Sequence, residues 1–124
     1  MPNWCNNNIT ISGDEGTIRT LTAVLKSIKT SDEEQSNNVF QSLIGLPQHM
    51  SDGDYMEKWY DTNIEWFGTK WDISYSEDMF NFSKNEISFS CETAWSPPIP
   101  FLQNLCEMYK VNANLFYSES GVGL

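Results

Sequence analysis

Three cysteines, one histidine and seventeen carboxylates are the side chains of this chain with the most chemistry to offer. Nucleophilic catalysis needs a Cys or Ser held beside a base. Cys5 and Cys91 share the parity of the apolar residues around them, which predicts buried, inert thiols. His49 stands in Pro47-Gln-His-Met50 with no obvious carboxylate to orient it. Cys5, Cys91 and Cys106 show no C-x-x-C spacing, and His49 alone could join them, so no metal site is expected. Carboxylates are plentiful, but no spacing singles out two as an acid and base pair. Gly13-Asp-Glu-Gly16 puts acids where a phosphate-binding loop needs open backbone N–H groups. The reading is a protein that is not an enzyme and holds no cofactor.

Two other constellations have binding chemistry. Trp4, Trp66, Trp71 and Trp95 could line a pocket, with Asn3, Asn6 and Lys70 as polar contacts. The competing reading puts Trp71 and Trp95 in the core, because both sit on apolar parity. Lys70 then serves as an anion contact or as an ion-pair partner of Asp72 or Glu92. The second constellation is acidic. Residues 30–70 hold eight of the seventeen acids: Asp32, Glu33, Glu34, Asp52, Asp54, Glu57, Asp61 and Glu65. Against them stand only Lys58 and Lys70, and among them lie the aromatic Tyr55, Trp59 and Tyr60. A solvated, solubilising face is the plain reading of such a run. The functional reading is a contact surface whose carboxylates are spaced between apolar anchors.

Charge narrows the partners. With 17 Asp+Glu against 7 Lys+Arg, the net charge of −10 opposes direct nucleic-acid binding, which needs clustered Lys and Arg. It favours a partner with a basic groove. No membrane span or signal segment is expected, and an odd number of unpaired-looking cysteines suits reduced thiols in the cytoplasm.

The elements that must carry these residues follow from periodicity. Ile9 and Ile11 alternate with Asn8, Thr10 and Ser12, predicting a half-buried strand over 5–12. Ile18, Leu21, Val24, Leu25 and Ile28 recur at three and four, predicting a helix over 17–29. Residues 30–70 read as an insertion, with a short helix near Tyr55 to Trp66. Trp71, Ile73 and Tyr75 alternate, predicting a strand over 71–76, then a turn through 78–85. A strand over 86–95, a helix through Phe101 to Tyr109 and a strand over 112–119 complete the chain. Strand, helix, strand, strand, helix, strand is the split βαβ order of a ferredoxin-like α+β sandwich. One domain spans 1–124, with a four-stranded antiparallel sheet and two helices on one face. By parity, the open face is rich in Ser and Asn with Asp72, Glu86 and Glu92, and Phe116 is its one aromatic residue. That counts against the stacking platform of RNA-recognition modules.

Three motifs stand in order along this frame: Met1-Pro-Asn-Trp-Cys-Asn-Asn7 with Ile9-Thr-Ile-Ser-Gly13, then Trp66-Phe-Gly-Thr-Lys-Trp-Asp72, then Thr93-Ala-Trp-Ser-Pro-Pro98. Together they resemble a plasmid- and phage-borne family with a ferredoxin-like domain of the Api-ninety-two type. Leu43-Ile-Gly-Leu-Pro47 matches the family's Leu-x-Pro-x-Pro element in part, and Tyr117-Ser-Glu-Ser-Gly121 matches its closing pattern. No function housed in the extended end that often follows in that family is expected here. The resemblance implies the fold, a setting inside a bacterial host and a mobile-element origin; it supplies no catalytic residues.

In that context the acidic segment predicts an inhibitor of a host defence protein, of the anti-CRISPR kind. Its carboxylates would stand in for phosphates on the partner's basic nucleic-acid-binding surface, with Tyr55, Trp59 and Tyr60 as anchors. The alternatives are an interaction module that forms a homodimer through the open sheet face, or a small-ligand or nucleotide sponge using the Trp-lined pocket.

Overall fold

The computed structural model of the chain describes residues 4–28, 38–47 and 50–119. Strand β1, Trp4–Ser12, buries Cys5, Asn7, Ile9 and Ile11 and turns the residues between them outward, as period-two patterning requires. Helix α1, Glu15–Ile28, begins where the Asp14 carboxylate accepts hydrogen bonds from the N–H groups of Gly16 (3.1 Å) and Thr17 (3.3 Å). Its Ile18, Leu21, Leu25 and Ile28 form the buried stripe.

Helix α2 is short, Val39–Ile44. Helix α3, Asp52–Thr62, opens with a capping box between Ser51 and Asp54 and widens into a π turn over Asn63–Phe67. A single helical turn, Glu77–Met79, leads into β2, Phe80–Phe82. Strand β3, Glu86–Ala94, helix α4, Ile99–Tyr109, and strand β4, Asn112–Glu119, follow.

The sheet runs β2-β3-β1-β4, with every neighbouring pair antiparallel. The central pair is in unbroken register from Trp4 opposite Ala94 to Ser12 opposite Glu86. This register has a polar pin. Asn7 is buried, and its amide donates to the carbonyls of Cys5 (3.1 Å) and Cys91 (3.2 Å) and to Thr93 Oγ1 (3.0 Å). A buried amide left without those partners would cost about 1–3 kcal/mol, so a slipped pairing is disfavoured.

Two expectations are corrected here. Residues 71–76 do not form a strand of the sheet; they make an isolated bridge, Asn38 opposite Ser74, and the sheet strand is Phe80–Phe82, inside the stretch expected to turn. The cause is Asp72, expected on the open face. Its carboxylate points inward and accepts from the N–H groups of Phe40 and Gln41, each at 2.8 Å, and of Ile73 at 2.7 Å. Residues 72–73 are thus tied to the start of α2, and Phe80 and Phe82 pair with Phe89 and Ile87 instead.

The segment 30–70 is also more than an overlay. Val39 and Phe40 of α2 are fully buried, and Phe40 stacks on Phe101 of α4 with ring centroids 4.2 Å apart. Phe67, at the end of the π turn, closes on the same ring at 5.9 Å. The core therefore takes side chains from β1, α1, α2, β3 and α4 together.

Candidate functional site

The largest exposed rings gather at one end of the sheet, and three backbone devices put them there. Gly68 ends the π turn at φ +89°, where a Cβ would stand 2.4 Å from Pro100 Cδ, so only glycine lets the chain pass α4 this closely. Thr69, buried, accepts from the Ala94 N–H (3.0 Å) and donates to its carbonyl (3.3 Å), fastening the next residues to the end of β3. The buried Asn63 joins α3 to the same segment: its amide donates to the Lys70 carbonyl and its oxygen accepts from the Tyr55 hydroxyl, both at 2.8 Å.

Lys70 emerges at the centre. Its ammonium lies 4.6 Å from the ring centroid of Trp71, 5.8 Å from Tyr60 and 6.0 Å from Trp95. These are cation–π distances, and the ring faces take the role expected of a carboxylate. Among the described residues no ion pair joins Lys70 to Asp72 or Glu92. Trp4 extends the group, 6.2 Å from Trp71, and Trp59 extends it on the far side, 6.0 Å from Tyr60.

Trp71 and Trp95 are accordingly not core residues; they are 41% and 54% exposed. The strand that would have set Trp71's parity is absent, and β3 stops one residue short of Trp95. Trp95 itself adopts φ +76°, a conformation that non-glycine residues rarely take. Such strain costs on the order of 1–3 kcal/mol and is commonest where function requires it.

Clefts open on both sides of Trp71. One, of about 330 Å³, lies between Trp4 and Trp71 over Cys91 and carries Asp72 and Glu92. The other, also about 330 Å³, lies between Trp71 and α3 and is lined by Tyr55, Met56 and Trp59. Burial lifts Asp72 to about 6, against the opposing pull of its three backbone hydrogen bonds. Burial also raises Tyr55, while its bond to Asn63 works the other way. The Cys91 thiol, pushed up to about 12 by burial, stays protonated at neutral pH and is a poor nucleophile. The Cys106 thiol is raised by the same cause. No group of three or more potential metal ligands occurs among the described residues.

The expected site residues are thus sorted. Trp4, Lys70 and Trp95 come together. Trp66 does not join them: it packs on the core and donates its indole N–H to the Gly45 carbonyl at 2.9 Å. Asn6 faces a separate shallow cleft with Asn8 and Phe116 on the open face. Asp54, Glu57, Asp61 and Glu65 are all exposed along α3 and its π turn, beside the exposed Trp59 and Tyr60. Tyr55 is half-buried and engaged with Asn63, so it braces the site more than it presents a ring. Asp52 is the first residue of α3. Asp32, Glu33, Glu34, Asn3 and His49 lie outside the described residues. Tyr60 as part of the Lys70 cage escaped sequence reading, since no spacing relates the two; the Gly68 breaker was the available signal that the chain turns back there.

The strand order, the paired crossovers and the helix-covered face define a ferredoxin-like α+β domain. Residues 70–124 match the family model described as the ferredoxin-like domain in Api92-like protein, the family whose motifs the sequence resembles. That stretch holds β2, β3, α4 and β4, while the central strand β1 and helix α1 precede it. No curated protein and no solved structure matches the chain. Among the described residues, no helix is long and apolar enough to cross a membrane.

Proposed function

We propose that this protein is a non-enzymatic binding module that docks on a basic surface of a host protein through the rings around Lys70 and the acidic side of α3. The observation that carries the reading is the run of exposed rings, Trp4–Trp71–Lys70–Tyr60–Trp59 with Trp95. Trp and Tyr clusters left in water mark contact surfaces, and such rings dominate binding energy where they are found. Asp54, Glu57, Asp61 and Glu65 recur every three or four residues along roughly 16 Å of helix. They supply the negative flank that would steer a basic partner and stand in for phosphates. In a mobile-element family this supports inhibition of a host defence protein of the anti-CRISPR kind.

The test is association with a nucleic-acid-handling protein recovered from host extract and then purified. Binding is expected to weaken as salt rises and to be competed by DNA. Reversing Glu57, Asp61 and Glu65 to Lys should abolish it. Capture that ignores salt, DNA and charge reversal overturns the reading. The cleft between Trp4 and Trp71 supports a second reading, a small-ligand site, but its carboxylates Asp72 and Glu92 disfavour phosphate-bearing ligands. A sponge of that kind would release its ligand on heat denaturation, visible in one mass spectrum.

A further inference from the structure

We infer that the outer edge of β4 is the site at which two copies of this chain pair, sheet to sheet, into a two-fold dimer. Among the described residues β4 is an outermost strand that pairs with β1 alone, so its far edge offers a row of backbone donors and acceptors that another strand satisfies best. The opposite edge of the sheet, β2, is three residues long and gives a partner little to hold. Edges of exposed strands are normally blunted by charge, proline or bulges. Between Asn112 and Ser118 β4 has no charged residue and no proline, and its pairing to β1 runs in unbroken register.

The surface beside that edge is apolar. A groove of about 320 Å³ runs between α4 and β4, lined by Ile99, Leu102, Cys106, Ala113 and Leu115. Phe116 is 75% exposed on the other face of the strand, and Tyr117 is also exposed.

Charge selects the occupant. Residues 99–118 contain one acid, Glu107, and one base, Lys110, so the patch is neutral on a chain of net charge −10. It offers nothing to a basic partner. A second copy, although acidic overall, brings the same neutral patch to the contact, so neutral surface meets neutral surface and the repulsion acts only between the more distant parts of the two bodies. Shape agrees. Antiparallel pairing centred on Leu115 sets Tyr117 opposite the second copy's Ala113 and Phe116 opposite its Asn114, a large residue against a smaller one each time. The groove residues then meet across the axis, extending the four strands to eight.

Sedimentation of the full chain over a range of concentrations tests this. The mass should rise from 14.2 kDa toward twice that value as concentration increases. Added salt should strengthen the association, since it screens repulsion between two acidic bodies. The double variant Phe116→Asp/Tyr117→Lys, changed only at exposed positions, should weaken association at least about tenfold, with its far-UV spectrum unaltered. Hydrogen exchange should show β4 amides gaining protection with concentration while those of β2 do not. A wild type that stays monomeric throughout overturns the inference, as does a dimer that survives the double variant or leaves β4 exchange unchanged.

Discussion

Helices α2 and α3 lie seven residues apart in one segment and are used in opposite ways. α2 is six residues without a charge, and it gives Val39, Phe40, Leu43 and Ile44 to the core. α3 is eleven residues with four carboxylates and Lys58, and it leaves Met56, Trp59 and Tyr60 in solvent. α2 completes the packing between α1 and α4, whereas α3 is fastened through Thr62, Asn63 and the Tyr55 hydroxyl and spends its outer side on surface. Of the two helices, it is thus α3 that carries the charge and the exposed rings, a surface the core packing does not require.

Substitutions can break that contrast, beginning with the strongest. Phe40→Ala should lose about 3–5 kcal/mol in urea unfolding, because it removes a ring stacked on Phe101 and leaves a cavity. A loss below about 1 kcal/mol would place α2 with α3 as surface ornament. Asp72→Ala comes next. It strands the N–H groups of Phe40 and Gln41, and a loss of about 2–3 kcal/mol is expected at neutral pH.

The pH dependence of that loss has a definite sign. Asp72 titrates near 6 in the folded protein against 3.8 unfolded, so the native state holds its proton more tightly. The part of its contribution that depends on the proton is fully present below 3.8 and fades as pH rises through about 6, leaving the hydrogen bonds as what remains at neutral pH. The stability gap between wild type and Asp72→Ala should therefore widen as the solution is acidified through that window. A gap that narrows in acid would mean the three backbone hydrogen bonds outweigh burial.

On the α3 side the order of effects reverses. Trp95→Gly should leave stability unchanged or raise it by up to about 1 kcal/mol, since glycine accepts φ +76° freely, yet it removes a ring from the Lys70 cage. Partner affinity should fall at least about tenfold by calorimetry, separating what the site needs from what the fold needs. Smallest in stability is Glu57→Lys/Asp61→Lys, expected within about 0.5 kcal/mol of wild type in the same urea assay because both side chains are exposed.

The parts that sequence periodicity disclosed are those where one face decides everything. The periodicity predicts α1 over 17–29 and it occupies Glu15–Ile28; alternation predicts β3 over 86–95 and it occupies Glu86–Ala94. β4 falls on its expected span, because Ala113 and Leu115 alternate with polar neighbours. β2 was missed because three residues are too few to display a period, while the longer alternation at Trp71, Ile73 and Tyr75 is a decoy. What cancels that decoy is the bond from Asp72 to α2, a contact across thirty-two positions that no local pattern announces. The site was half legible for a related reason. Strand parity holds only to Ala94; at Trp95 the backbone turns over and sends the ring outward.

Asn7 bears on how the molecule is made. Its bonds to Cys91 and Thr93 span 84 and 86 positions, so the central strand is made long before its neighbours on both sides. Until β3 and β4 are complete, β1 has no strand to pair with, and its apolar side has only helices such as α1 and α2 to cover it. Folding is set by those distant closures and should be slow, because the sheet stays unfinished while everything between β1 and β4 is made.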